Sequence, residues 1–427
     1  MPAFPRLSVE TREIDPVGDL LAYADPDRPL AWLRRGEGVV GVGEQSGYEH
    51  VGAEADSSLS AADAWRLIAA EADVDDPVGL PGTGLIAFGA LTFDARSAWP
   101  SRLIIPTTVV GRRGGRSWVT RIRRADGPHP PTGADMPQPR ALGPSWSGTL
   151  GPGSLDPAGY QGAVRSALDA ITAGEVGKVV VARDLVGTVP AGADLRRLVR
   201  ALSVDYPDTW TFAVDGLIGA SPETLVTVAG GAVTARVLAG TAGRGTDHAD
   251  DTGAATRLLE SGKDRDEHRF AVRSVVEALA PHTRTLAADE EPFALELPNL
   301  WHLATDVAGV LGDDASSLDL VASLHPTAAV AGTPTDAALA VIRRIEPFDR
   351  GRYAGPVGWV DGSGDGEWAI ALRCAQVGGL PARRGSASTG TIPVTAFAGA
   401  GIVAGSDPEA EMLETRVKFR PIVDALA

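Results

Sequence analysis

Cysteine is almost absent from this 427-residue chain: Cys374 stands alone, which excludes an intrachain disulfide framework and any metal centre built from several thiolates. Positive charge is also short. The 39 Lys and Arg face 55 Asp and Glu, a formal net charge of −16, and that field disfavours nucleic acid or an anionic membrane surface as partner. An anionic ligand must therefore be held by local positive groups against the global field. There is no unbroken apolar run long enough to span a bilayer and no basic-plus-apolar N-terminal segment, so neither membrane insertion nor export is expected, and the default location is the cytoplasm. Two well-known loop patterns fail as well. Ala239-Gly-Thr-Ala-Gly-Arg-Gly has neither P-loop nor dinucleotide spacing and reads instead as a place where backbone N–H groups approach a ligand. Asp361-Gly-Ser-Gly-Asp-Gly begins like a calcium loop but carries Leu372 where a bidentate Glu is required, so a hairpin turn is expected.

The remaining composition, 44% hydrophobic and 22% charged, is that of a globular protein with enough chain for a large core. Gly84–Gly89 and Leu103–Val110 read as strands, and Ala61–Ala72 as a helix capped by Ser60. The stretch from Ala125 to Ser154 is rich in Pro and Gly and reads as a linker or long surface loop. Further strands are expected at Val176–Arg183, Trp210–Val214, Thr224–Val228, Val233–Val237, Val357–Val360, Glu367–Val377 and Thr395–Gly399. Helices are expected at Tyr160–Ala173, Thr256–Leu279, Ser316–Ala322, Thr335–Arg344 and Pro408–Phe419, with Asp407 as cap and Pro421 ending or kinking the last. Many short strands joined by Gly-rich turns predict an α+β fold of antiparallel sheets with helices outside.

Certain polar residues interrupt this pattern. Arg373 cannot shed its charge and needs an anionic partner if it is buried in its apolar surroundings. Glu260, Asp264 and Glu267 share one face of the expected helix, and Glu411, Glu414 and Lys418 share a face of the last one. Such faces are commonly just solvated. If they bind a cation, oxygen-only ligation without a His/Cys cluster points to Mg²⁺. Lys178 lies in a valine-rich strand, where it either snorkels to water or is a buried amine suited to base work. Glu223 follows a turn signal and could equally be a solvated turn residue.

Taken in order, a set of motifs resembles the chorismate-utilising enzymes, the anthranilate synthase component I-like family, and within it the isochorismate synthases. The motifs are Lys178-Val-Val-Val-Ala-Arg, Ser221-Pro-Glu, Ala239-Gly-Thr, Ser261-Gly-Lys-Asp-Arg-Asp-Glu-His, Leu300-Trp-His-Leu-Ala-Thr, His325-Pro-Thr-Ala-Ala-Val-Ala-Gly-Thr-Pro, Glu346-Pro-Phe-Asp-Arg, the Arg373 segment, Gly399-Ala-Gly-Ile-Val and Glu411 to Lys418. Gly262 departs from the Glu common in relatives, with no metal ligand expected to be lost. The resemblance implies two large, mainly antiparallel β-sheets packed face to face with helices outside. It also implies an N-terminal subdomain with its linker over residues 1–150, contributing to the same body as a chorismate-binding catalytic domain over 151–427.

Roles follow from the same resemblance. Lys178 matches the base that activates water for attack at ring carbon 2, and Glu223 the acid that protonates the departing 4-hydroxyl. Glu267 and Glu414, with Glu411 close by, match Mg²⁺ ligands. Arg373, Tyr353 and the Gly401 backbone match a carboxylate clamp, with Gly240, Thr241 and Lys418 also at the substrate. Anthranilate synthases typically carry Gln at the place of Lys178 and need a glutamine-hydrolysing partner. Aminodeoxychorismate synthases typically have Lys at Ala239. Salicylate synthases usually lack the Trp301-His302 run and have Thr near Ala329. The resemblance therefore implies an Mg²⁺-dependent isochorismate synthase, a monomer without an amidotransferase subunit, feeding menaquinone or siderophore synthesis. The alternative is a salicylate synthase, which makes isochorismate and then eliminates pyruvate.

Overall fold

The structure is a computed structural model that describes residues 4–44, 46–51, 60–127, 136–245, 247–297, 300–379 and 390–427. Two sheets dominate it. The larger has thirteen strands among the described residues. Its order is Thr149–Pro152, Lys178–Pro190, Thr391–Ile402, Cys374–Val377, Leu217–Ser221, Trp210–Val214, Leu30–Arg34, Glu37–Val42, Thr108–Arg113, Arg116–Arg124, Leu7–Ile14 and Asp73–Asp75, with Gly332–Thr333 pairing off the path with Lys178–Pro190. The smaller has ten, in the order Thr283–Ala288, Leu300–Leu311, Ala232–Gly243, Thr224–Ala229, Gly366–Ile370, Pro356–Asp361, Ile86–Ala90, Pro100–Ile105 and Ser46–Val51, with Phe293–Glu296 against Leu300–Leu311. Neighbours are antiparallel except Leu7–Ile14 with Asp73–Asp75. Strands from the first 124 residues extend both sheets: Leu30–Arg34 pairs with Trp210–Val214, and Ile86–Ala90 with Pro356–Asp361.

Strand periodicity explains the layers. In Leu30–Arg34, Leu30 and Trp32 enter the core between the sheets, while Ala31 and Leu33 enter a second core on the outer face of the larger sheet. Trp210–Val214 divides the same way, Phe212 and Val214 inward and Ala213 outward. With both faces covered, these strands read as continuous apolar runs rather than as alternation. The outer core is closed by the helices Arg196–Asp205 and Pro408–Leu426. Among the described residues no helix is long and apolar enough to cross a membrane.

Several expected boundaries shift, each for a physical reason. The helix expected over Thr256–Leu279 is two helices, His248–Glu260 and Gly262–Leu279, because Ser261 turns extended and caps the second through the Asp264 N–H. Glu260 is thereby separated from the face of Asp264 and Glu267. Leu103–Val110 is divided between Pro100–Ile105 of the smaller sheet and Thr108–Arg113 of the larger. The final helix runs through Pro421 to Leu426. A proline costs an interior helix about 3 kcal/mol, but burying Ile422 and Leu426 beyond it returns about 1.5–3 kcal/mol each. The expected linker is pinned over 136–148: Arg140 N–H donates to Ala22 O, Trp146 Nε1 to Asp194 O, and Gly148 N–H to Leu426 O.

The most consequential difference is at Glu367–Val377. This is not one strand: Gly366–Ile370 belongs to the smaller sheet and Cys374–Val377 to the larger. Its neighbour changes sheets beside it, from Leu217–Ser221 to Thr224–Ala229. Two crossovers thus run side by side, laced by Ser221 Oγ to Ile370 O (2.6 Å), Ile370 N–H to Glu223 O (3.1 Å) and Ala220 N–H to Arg373 O (3.2 Å).

Candidate active site

The crossovers carry Glu223 and Arg373 into one cavity of about 310 Å³, within the range of small-molecule sites. Arg373 adopts φ +49°, a left-handed conformation that a long side chain rarely takes, so local packing holds it there. Gly240 reaches the same cavity at a bulge between Ala239 and Thr241, with φ +80°. A Cβ there would lie 3.1 Å from the Asp264 side chain, so glycine is needed for both conformation and space.

Lys178 opens the strand Lys178–Pro190 and is 7% exposed, which decides for the buried over the snorkelling reading. That strand is anchored from behind. Ala182 N–H donates to Glu346 Oε1 (2.8 Å), and Arg350 donates to the carbonyls of Val180 (2.7 Å) and Val330 (3.0 Å). Arg350 and Glu346 form two further bonds of 2.6 and 2.8 Å, both buried, and the guanidinium lies 4.4 Å from the Phe93 ring centroid. The anionic partner that a buried arginine requires is present here as Glu346.

Glu223 is 6% exposed, so it is no solvated turn residue. Burial pushes its carboxyl up to about 7, against the opposing pull of Lys178, Arg373 and Lys418. His302 is driven the other way, to about 3, by burial and then by the charges of Arg373 and Lys418. Its neutral ring has a defined tautomer. Gly240 O can only accept, so Nδ1 carries the proton (3.1 Å), and Nε2 is left to accept from Arg373 Nη2 at 3.5 Å. Thr241 Oγ1 also lies 3.1 Å from Nδ1. Tyr353 stacks on Phe397 at 5.2 Å, and burial raises its phenol, so it stays a neutral donor.

On another wall, Lys418 donates to Gly399 O (2.9 Å) and pairs with Glu414 (2.5 Å) one helical turn away. Glu411, Glu414 and Asp264 also line the cavity, and Glu411 is buried. Among the described residues no three His, Cys, Asp or Glu side chains converge to hold a metal. The Glu267 side chain lies outside the described residues.

Lys178, Glu223, Gly240, Thr241, Tyr353, Arg373, Gly401, Glu411, Glu414 and Lys418 all line this one cavity, although they come from both sheets, the crossovers between them, the turn before Pro356–Asp361 and the last helix. Sequence reasoning gave no role to the His302 contact with Arg373 or to Asp264 on the cavity wall. The available signals were a lone His at a buried strand position and a carboxylate one turn before Glu267.

Comparison with known proteins places the chain in a family. A family model described as chorismate binding enzyme matches residues 140–427. The isochorismate synthase DhbC of Bacillus subtilis is 40% identical over 283 residues, covering 64% of this chain and 68% of that protein. The solved structure of DhbC from Bacillus anthracis superposes with a TM-score of 0.74 at 31% identity, covering 95% of this chain and 98% of that one. The fold is shared too with MenF, the menaquinone-specific isochorismate synthase of Escherichia coli, with a TM-score of 0.75 at 24% identity, covering 100% of this chain and 96% of that one.

Proposed function

We propose an isochorismate synthase, from the premise that this chain belongs to the chorismate-binding enzyme family. The reaction adds a hydroxyl from water at ring carbon 2 and expels the one on ring carbon 4, with a shift of the ring double bonds. Water and hydroxide are a poor nucleophile and a poor leaving group, so one side needs a base and the other an acid. Lys178 Nζ takes the proton of the attacking water as its oxygen bonds to carbon 2. Glu223 gives a proton to the oxygen leaving carbon 4, which departs as water. The observation that carries the proposal is Glu223: a buried carboxyl held near 7, so that it keeps a proton in part of the molecules at neutral pH, in the same cavity as a buried lysine.

Both carboxylates of chorismate must be fixed for this geometry to hold. Arg373, Tyr353 and the Gly401 backbone clamp the enolpyruvyl carboxylate, and His302 supports Arg373 from behind. Gly240 and Thr241 border the substrate, and Lys418 stands toward its ring carboxylate. The fit to Mg²⁺ rests on donor chemistry: Asp264, Glu411 and Glu414 line the cavity with carboxylate oxygens, the hard donors that this ion takes together with substrate oxygens and water. Glu267, Glu414 and Glu411 would hold it, and when bound it supplies positive charge for the ring carboxylate. A monomer without an amidotransferase subunit belongs to the same proposal, since water rather than ammonia is the nucleophile. So does a cytoplasmic location.

The isochorismate synthase name of the Bacillus subtilis relative does not favour the salicylate synthase alternative. Product analysis after incubation with chorismate and Mg²⁺ tests the proposal. Isochorismate should accumulate with little pyruvate. Stoichiometric salicylate and pyruvate, or anthranilate on adding ammonium, would overturn it.

A further inference from the structure

A second cavity, of about 10 Å³, adjoins the active site. That is the space of one water molecule. Glu223 and Ala329 line both cavities. Most of the remaining wall is apolar, and its other polar groups are engaged: Thr224 Oγ1 accepts from Trp210 Nε1 (2.8 Å), and Arg236 is bound in two places to Asp306 (2.6 and 2.8 Å). Thr327 is the exception. It is 5% exposed, and its hydroxyl has no hydrogen-bond partner among the described residues. Its carbonyl accepts from Val330 N–H (3.2 Å) and Ala331 N–H (3.0 Å), which fixes the turn carrying Ala329 into the active site. A buried hydroxyl left without a partner is destabilising and calls for a bound water.

We propose that this cavity holds one ordered water hydrogen-bonded between Thr327 Oγ1 and the Glu223 carboxyl, making Thr327 a positioning residue for the acid. The inference rests on reading Glu223 as the proton donor. Once Glu223 gives its proton to the leaving oxygen, it becomes a carboxylate. The bound water then donates to it, and stabilising the charged form eases the transfer. The water itself is not consumed. The charges acting on Glu223 from the active-site side are Lys178, Arg373 and Lys418; among the described residues lining the small cavity the other charged side chain is Arg236, and Asp306 holds it.

Thr327→Val removes the hydroxyl and keeps the shape, whereas Thr327→Ser keeps the hydroxyl. A high-resolution crystal structure of the wild type should show a water bonded to both Thr327 and Glu223, and the Val variant should lack it. In the Val variant kcat should fall about tenfold with little change in KM. The limb of the pH profile on which kcat declines as Glu223 ionises should also move to higher pH. The Ser variant should keep both near wild type, which a merely structural loss would not reproduce. No water in the wild type, or wild-type kcat and pH limb in the Val variant, overturns the proposal. If the Val variant does not fold, the wild-type density decides. A wild type that fails to make isochorismate defeats the functional reading instead, and the density is read without any activity.

Discussion

At the scale of single residues, Glu223 and Lys178 share the proton traffic. Lys178→Ala and Glu223→Gln should each lower kcat by about 10²-fold or more, the usual weight of a positioned acid or base. Near wild-type kcat in either would make that residue structural. Because burial holds Glu223 near 7, wild-type kcat should decline as pH rises past that value. The same shift bears on stability. The folded state binds this proton more tightly than the unfolded chain, so between the ordinary carboxyl value of 4.5 and about 7 stability falls as pH rises. Glu223→Gln escapes that loss. In urea unfolding it should gain on wild type by roughly 1–3 kcal/mol at pH 8 relative to pH 4.5. A pH-independent difference would contradict the raised proton affinity. For the acidic wall, EDTA should abolish turnover and Mg²⁺ restore it, and Glu414→Gln should weaken metal-dependent chorismate binding measured by calorimetry. Full activity in metal-free buffer would remove Mg²⁺ from the proposal.

At the scale of elements, the site depends on how strands are held. The Glu346–Arg350 pair ties the Lys178 strand to the segment carrying Val330. Arg350→Ala leaves Glu346 buried and unpaired, and should destabilise by about 3–5 kcal/mol in denaturant unfolding. A loss below about 1 kcal/mol would mean that water replaces the guanidinium. Elements also show what was legible in the sequence. Trp210–Val214 stands where its apolar run placed it, and Ser60 caps the first long helix as expected. The motifs around Lys178, Glu223 and Arg373 were visible as residue types in order. What was not legible is non-local. Nothing in the run Glu367–Val377 says that its two halves find partners in different sheets. Ser261 was hidden differently, because the apolar spacing passes through it while its side chain ends one helix and starts the next. Asp264 was therefore read on a face with Glu260, whereas it lines the cavity.

At the scale of the whole molecule, one compositional bias separates the site from its surroundings. The chain has only three lysines, Lys178, Lys263 and Lys418, among 39 Lys and Arg, and two of them line the active-site cavity. Arginine carries nearly all the remaining positive charge, in pairs such as Arg352–Asp215 and Arg196–Asp194. Guanidinium suits that work, being planar, bidentate and permanently charged, but for the same reason it cannot accept a proton. An amine survives where a proton must be taken or a compact charge placed. The three lysines make this testable on the intact enzyme. An amine-directed acylating reagent should inactivate it, and peptide mapping should trace the loss to Lys178 or Lys418. Chorismate with Mg²⁺ should slow both the modification and the inactivation, because the substrate fills the cavity those side chains line. Inactivation that tracks Lys263 alone would remove Lys178 as the base, and inactivation that proceeds equally fast with substrate bound would place the essential amine outside this cavity.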